Sequence, residues 1–281
     1  MSVKQKERIA FALLSLCGII VVVPIFAILL LLVIKGLPAF STGFLFGLNG
    51  TSGGGESIFP AIVGTICLVL VAILAAIPLG ISSAIYLNEF ASDSALTRII
   101  RLSIVNLAGV PSVVYGLFGM GLFVVFLRFG TSILSGGLTL AFLILPVVIT
   151  ASEEALRTVP ISFREAAMAL GATRIQTISR VVLPNALPGM MTGAILGVSR
   201  AAGETAPILF TVAAFFLPRL PRSIFDQVMA LPYHLYIITT QVPNEAEKYK
   251  YGTALTLVVL VFSLNIAAII IRNKFRRNKK W

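Results

Sequence analysis

The sequence predicts an all-α membrane protein, a polytopic bundle of six transmembrane helices, from three observations. Hydrophobic residues make up 58% of the 281-residue chain, charged residues only 12%, and the mean hydropathy is +1.00. No soluble domain of this size has that balance. The apolar residues gather in six runs, near 11–34, 58–87, 105–127, 133–151, 188–212 and 252–271, close to or above the roughly twenty residues that a bilayer core of about 30 Å asks of a helix. The runs lack the period-two alternation of barrel strands, and a backbone in lipid satisfies its own polar groups only as a helix or a closed barrel.

The first run is longer than the core of a secretory signal and no small-x-small cleavage site follows it, so it reads as a retained helix. The stretch GTSGGGES at 50–57 resembles a phosphate cradle in composition. No Gly-Lys-Ser/Thr follows and no strand precedes it, so a flexible external loop is expected. Pro78 and Gly80 in the second run and Pro146 in the fourth are expected to kink their helices. Gly109, Gly116, Gly119, Gly121 and Gly130 let membrane helices pack closely or move past one another. The segment 213–251 is too polar to span, yet FDQVMALPYHLYII within it is apolar enough to lie on the surface or fold back as a short gate helix.

Cys17 and Cys67 have neither a disulfide framework nor metal-ligand spacing and read as packing residues. His234, the single histidine, has few acids available to it and reads as non-catalytic. Neither a metal site nor a bound cofactor is expected.

Charge placement sets orientation. With the amino terminus inside, the segments 1–10, 88–104, 152–187 and 272–281 hold fifteen of the 22 Lys and Arg residues, the opposite segments hold six, and Arg200 lies within a span. That asymmetry follows the positive-inside rule and places both termini and the loop 152–184 in the cytoplasm. The net charge of +11 therefore serves topology; no basic face interleaved with aromatics supports nucleic-acid binding. Three parts are expected: a tail, first helix and external loop over 1–57, a membrane core over 58–272, and a basic tail over 273–281.

Residues 162–184 are polar and helix-forming between two apolar runs, which reads as a docking surface. Ser162 with Glu165, and Thr173 with Gln176, match the reciprocal capping pattern of helix starts, and Gly171 between them can turn the chain. Ala166 and Ala167 are small enough for a partner to approach the backbone. Glu165, Ala166, Ala167, Gly171, Leu183 and Pro184 stand in register with the EAA loop of ATP-binding-cassette importer permeases, which this stretch resembles; the one departure is Val181 in place of Ile. The resemblance implies the membrane-domain fold of a type I ABC importer (MetI-like). It also implies that the helix around Glu165 to Gly171 fits a cleft on a cytosolic ATP-binding subunit.

Arg200 and Glu204 lie in the fifth run, where each ionised group costs at least about 2.5 kcal/mol on insertion scales. Four residues apart they share a helix face and offset part of that cost. Gly203 and Pro207 bracket the acid and mark a place where the helix can bend. Two readings stand: an ion pair that fixes helix packing, or a pathway element in which a planar, always-protonated guanidinium meets an oxyanion.

The run RAAGETAP, with VPSVVYGLFG at 110–119, ASEEALRTVP at 151–160 and FDQVMALPYHLY at 225–236, resembles phosphate-importer permeases of the PstA type over about 58–272. That resemblance implies a second homologous permease, a pair of cytosolic ATPases, an extracytoplasmic phosphate-binding protein, and phosphate as the substrate passed through the plasma membrane. A permease for another oxyanion, a self-sufficient carrier or channel, and a scaffold without transport are the rival readings. The carrier leaves the docking loop unexplained and tends to show an internal inverted repeat, of which no convincing trace is present.

Overall fold

A computed structural model describes residues 3–47, 57–214, 216–217, 219–242 and 246–277. Nearly all of the Gly-rich stretch 50–57 and the last residues of the basic tail lie outside them. Among the described residues the regular elements are helices, apart from one isolated bridge between Ala213 and Val228. In order these are α1 Val3–Gly36, α2 Thr42–Phe46, α3 Phe59–Ile85, α4 Ala95–Ala108, α5 Ser112–Gly119, α6 Ile133–Arg157, α7 Ile161–Ala169, α8 Arg174–Thr177, α9 Leu183–Gly203, α10 Ala206–Thr211, α11 Leu231–Thr240 and α12 Glu247–Arg277. Wider π turns extend α3 over Tyr86–Phe90 and α5 over Met120–Phe126, and join α8 to α9 over Ile178–Val182.

Five stretches are long and apolar enough to cross a bilayer: Ala10–Ala39, Phe59–Phe90, Ile133–Arg157, Arg174–Gly203 and Glu247–Lys274. The expected third span is instead two helices, α4 and α5, bent by 105°. Pro111 is the cause: it has no N–H to continue α4 and sits extended at φ −57° and ψ 140°. Tyr115 turns back across the bend and its hydroxyl donates at 2.8 Å to the Leu107 carbonyl, which also accepts from Val110 N–H at 3.1 Å. The expected fifth span also divides, because α9 stops at Gly203 and α10 starts at Ala206. Pro78 and Pro146, by contrast, lie inside helices that run on past them.

The bundle is built around α6, whose two flanks take α3 and α9 through small residues. Gly137 of α6 meets Val71 of α3, Gly80 of α3 meets Val148, and Gly189 and Gly193 of α9 meet Ala155 and Ala151. Close approach of this kind is how membrane helices gain dispersion contacts where lipid offers no hydrophobic driving force. Leu68, Leu140, Leu143, Ile144, Ile208 and Val212 fill the central cluster between α3, α6 and α10. The expected close packing holds for Gly116, against Ala206 and Pro207, and for Gly119, against Thr139. Gly121 and Gly130 face open space. α1 lies along α12 with nearly all of its apolar surface exposed.

Away from α7, the chain between α10 and α11 closes over the start of α6. Ser132 caps that helix by accepting from Ser135 N–H at 3.2 Å. The amides of Ser132, Ile133 and Leu134 donate to the carbonyls of Thr211, Asp226 and Ile224 at 3.0, 2.9 and 2.9 Å. Amides that have no intrahelical partner are thus satisfied by residues distant in sequence. The expected short helix in the 213–251 segment is α11, fastened to α3 by Leu231 N–H donating to Thr65 Oγ1 at 2.9 Å.

At Gly64 the same closing segment approaches so near that an added Cβ would strike the Met229 carbonyl. Gly64→Ala is expected to cost about 1–3 kcal/mol and lower the melting temperature of the purified protein, whereas Gly121→Ala, facing open space, should leave it near wild type. Equal melting temperatures for the two variants would contradict this packing.

Candidate functional site

One end of the bundle carries the knuckle α7–α8. Helix α7 begins at Ile161, two residues earlier than the Ser162–Glu165 capping pattern requires, so that box does not form. Pro160 takes the cap position with φ −57° and ψ 143° and no side-chain bond, its carbonyl accepting from Phe163 N–H at 3.2 Å. The second box forms as expected: Gln176 N–H donates to Thr173 Oγ1 at 3.3 Å and Thr173 N–H to Gln176 Oε1 at 2.9 Å. Between the helices Gly171 has φ +83°, a left-handed conformation that glycine adopts without strain. Glu165 and Ala166 are exposed and Ala167 is half-buried. Around them stand apolar side chains that water disfavours, with Leu170 90% exposed and Ile161, Met168 and Ile175 also uncovered.

The knuckle is fastened by charges that sequence reasoning did not assign. Arg164, on the face of α7 turned to the bundle, grips Glu89 in a fork, with Nη2 donating to Oε1 at 2.7 Å and Nε to Oε2 at 3.5 Å. The same guanidinium donates to the carbonyls of Leu156 at 3.1 Å and Val159 at 2.7 Å, at the end of α6. Arg174 donates to the Glu89 carbonyl and stacks its guanidinium over Phe90, 5.3 Å from the ring centre. Arg101 of α4 donates to the Leu87 carbonyl at 2.8 Å, and its Nε lies 2.9 Å from Glu153 Oε1, which also accepts from Arg157 at 2.8 Å. Three arginines from three elements thus converge on the π turn that ends α3. Its carbonyls are the negative pole of that helix. Positive-inside counting registers these arginines as topology signals, and nothing in the spacing of Glu89 or Glu153 marks them as their partners.

Arg200 and Glu204 meet as the spacing predicts, Nε donating to Oε1 at 3.2 Å. They do not share one continuous helix, however. Glu204 follows the last turn of α9 in extended conformation, φ −76° and ψ 134°. Gly203 beside it is exposed and faces open space, so the chain bends where Gly203 and Pro207 bracket the acid. Their side chains are 34% and 17% exposed, a partly desolvated pair next to a break and not a sealed core contact.

Cys17 and Cys67 are both free, and no cluster of potential metal ligands occurs among the described residues. His234 is buried in α11, with Nδ1 lacking a hydrogen-bond partner. Burial pushes its pKa down to about 4.

Over residues 76–280 the chain matches the family described as binding-protein-dependent transport system inner membrane component. The chain belongs to that family. It is therefore a multi-pass transport component and not an enzyme. It is 32% identical over 282 residues, 95% of each chain, to the probable ABC transporter permease protein YqgI of Bacillus subtilis. It is 38% identical over 224 residues to the phosphate transport system permease protein PstA 1 of Mycobacterium tuberculosis, covering 79% of this chain and 72% of that one. Its fold superposes with a TM-score of 0.68 on a chain of a bacterial ABC transporter that imports the acidic polysaccharide alginate, at 14% identity over 96% of both chains. The expected type I importer fold is thus present.

A histidine held neutral by burial is protonated more readily in the unfolded chain. Its contribution to stability is complete above about pH 6.5 and is lost as pH falls through about 4. Near pH 5 the wild type should have lost about 2 kcal/mol on this account. His234→Gln should flatten that part of the profile of melting temperature against pH, and a profile parallel to wild type would refute the assignment.

Proposed function

We propose that this chain is the permease subunit of an ATP-driven importer of inorganic phosphate, forming half of the translocation pathway. The observation that carries the reading is Arg200, a partly exposed guanidinium in the last turn of a lipid-length helix, beside the break that ends it. Nε is the atom that meets Glu204, which leaves the two terminal amino groups to a tetrahedral oxyanion. A guanidinium matches two such oxygens at once. Glu204 holds the resting guanidinium and, by competing for it, keeps the anion from binding too tightly. The named phosphate relative supports phosphate over other oxyanions.

The partners in this reading are a second homologous permease, a pair of cytosolic ATP-binding subunits and an extracytoplasmic phosphate-binding protein. The knuckle, with Glu165, Ala166, Ala167 and Gly171, docks into a cleft of the ATP-binding subunit, and its uncovered Met168 and Leu170 supply apolar area for that contact. Both termini then lie in the cytoplasm, with the transport core over 58–272. ATP closes the two ATPases, the knuckle moves with them, and the spans reorient around Arg200. Nucleotide drives this only to the extent that it binds one orientation more tightly than the other.

Phosphate uptake in cells that lack their own system tests the reading. Loss of a charge-assisted contact of roughly 1.5–3 kcal/mol should lower uptake by about ten- to a hundredfold in Arg200→Gln, with a clear fall in Glu204→Gln. Glu165→Lys, at an exposed position, should leave the chain in the membrane yet reduce recovery of the ATPase in a pull-down. Unchanged uptake in all three variants would undo both site assignments, and wild-type uptake of another oxyanion in place of phosphate would reassign the substrate.

A further inference from the structure

The knuckle buries none of its α7 residues fully, so its grip on the bundle rests on few contacts. Phe163 packs against the cluster that includes Leu156, Val159 and Val182, an attachment that resists separation but has no preferred direction. Arg164 is different, because a single guanidinium bonds the ends of both central helices: the Glu89 carboxylate on α3, and the Leu156 and Val159 carbonyls at the end of α6. Its side chain is 18% exposed and that of Glu89 is 8% exposed, so water screens the pair little.

Glu89 is itself held from below. Asn88 Nδ2 donates to its Oε1 at 2.8 Å and Arg174 bonds its carbonyl. It stands on a π turn, a geometry that widens the helix and releases carbonyls to outside donors.

We propose that Arg164 is the joint through which displacement of α7 reaches α3 and α6, with Glu89 as its anchor. The inference rests on the docking of α7 proposed above and adds the route of transmission. Directional bonds to two helices at once make the three elements shift together, adding to the three-residue link from α6 to α7 and to the Arg174 bond on the Glu89 carbonyl. Both residues are positioning residues: neither touches nucleotide or the transported anion. α3 and α6 are packed on each other along their length, so a shift of their common end displaces both as a unit.

The test uses the complete transporter, reconstituted in vesicles with its binding protein, and reads phosphate accumulated per ATP hydrolysed. Glu89→Gln and Arg164→Gln should each retain the ATPase in a pull-down and continue to hydrolyse ATP, while phosphate per ATP falls about tenfold. The double variant should fall no further, since each single change already opens the joint. Glu89→Asp, which keeps the charge, should recover at least half of the wild-type ratio. A wild-type ratio in either Gln variant, additive losses in the double variant, or uptake and hydrolysis falling in proportion would overturn the joint. Should Glu89→Gln fail to assemble, Arg164→Lys decides: it keeps the charge facing Glu89 but not the fork reaching both carbonyls, so an intermediate ratio is expected and a wild-type ratio refutes it. A wild-type complex that imports no phosphate or recovers no ATPase would strike the proposed function, and the joint with it. An active wild type with uncompromised variants strikes the joint alone.

Discussion

A backbone amide or carbonyl left bare in hydrocarbon costs several kcal/mol, and the breaks in this bundle are organised by that constraint. At three of these breaks a specific group meets the freed backbone. Tyr115 answers the Leu107 carbonyl at the α4–α5 bend. The carbonyls of Thr211, Ile224 and Asp226 answer the first amides of α6. Arg101 and Arg174 answer the Leu87 and Glu89 carbonyls at the π turn of α3. Helices that meet no such break, α1 and α12, run long and make few polar contacts with the rest of the chain.

The arginines that answer these carbonyls explain why a chain with so few charges places them as it does. Glu89 and Glu153 are buried acids, and a buried carboxylate persists only where a cation and hydrogen bonds surround it. Arg164 serves one, and Arg101 with Arg157 serves the other. The result is a compact polar layer at one end of an apolar bundle, directly beneath the exposed knuckle. Arg200 and Glu204 follow the same rule at a second location, but with less burial and with open space alongside. The first cluster thereby suits bracing and the second suits contact with a passing solute.

Hydropathy located every crossing region because the cost of a polar side chain in lipid is local and adds along the run. It could not separate one helix from two bent ones. Residues 105–127 are uniformly apolar whether or not Pro111 turns the chain, and the Leu107 carbonyl finds Tyr115 only once the bend has formed. The capping patterns divide in the same way. Thr173 and Gln176 form their box, while Pro160 starts α7 two residues too soon for Ser162 to cap it.

What the sequence by itself determined is the membrane class, the helical content, the Thr173–Gln176 start of the second knuckle helix and the encounter of Arg200 with Glu204, all of which depend on residues at most about twenty apart. The tertiary structure alone decided that Arg164 meets Glu89, 75 positions away, and that Leu231 meets Thr65 across 166. Such pairs carry no periodicity and no shared motif. The first arises because α3, α6 and the knuckle end at one level of the bundle, and the second because the chain leading into α11 closes over the opposite end of α3.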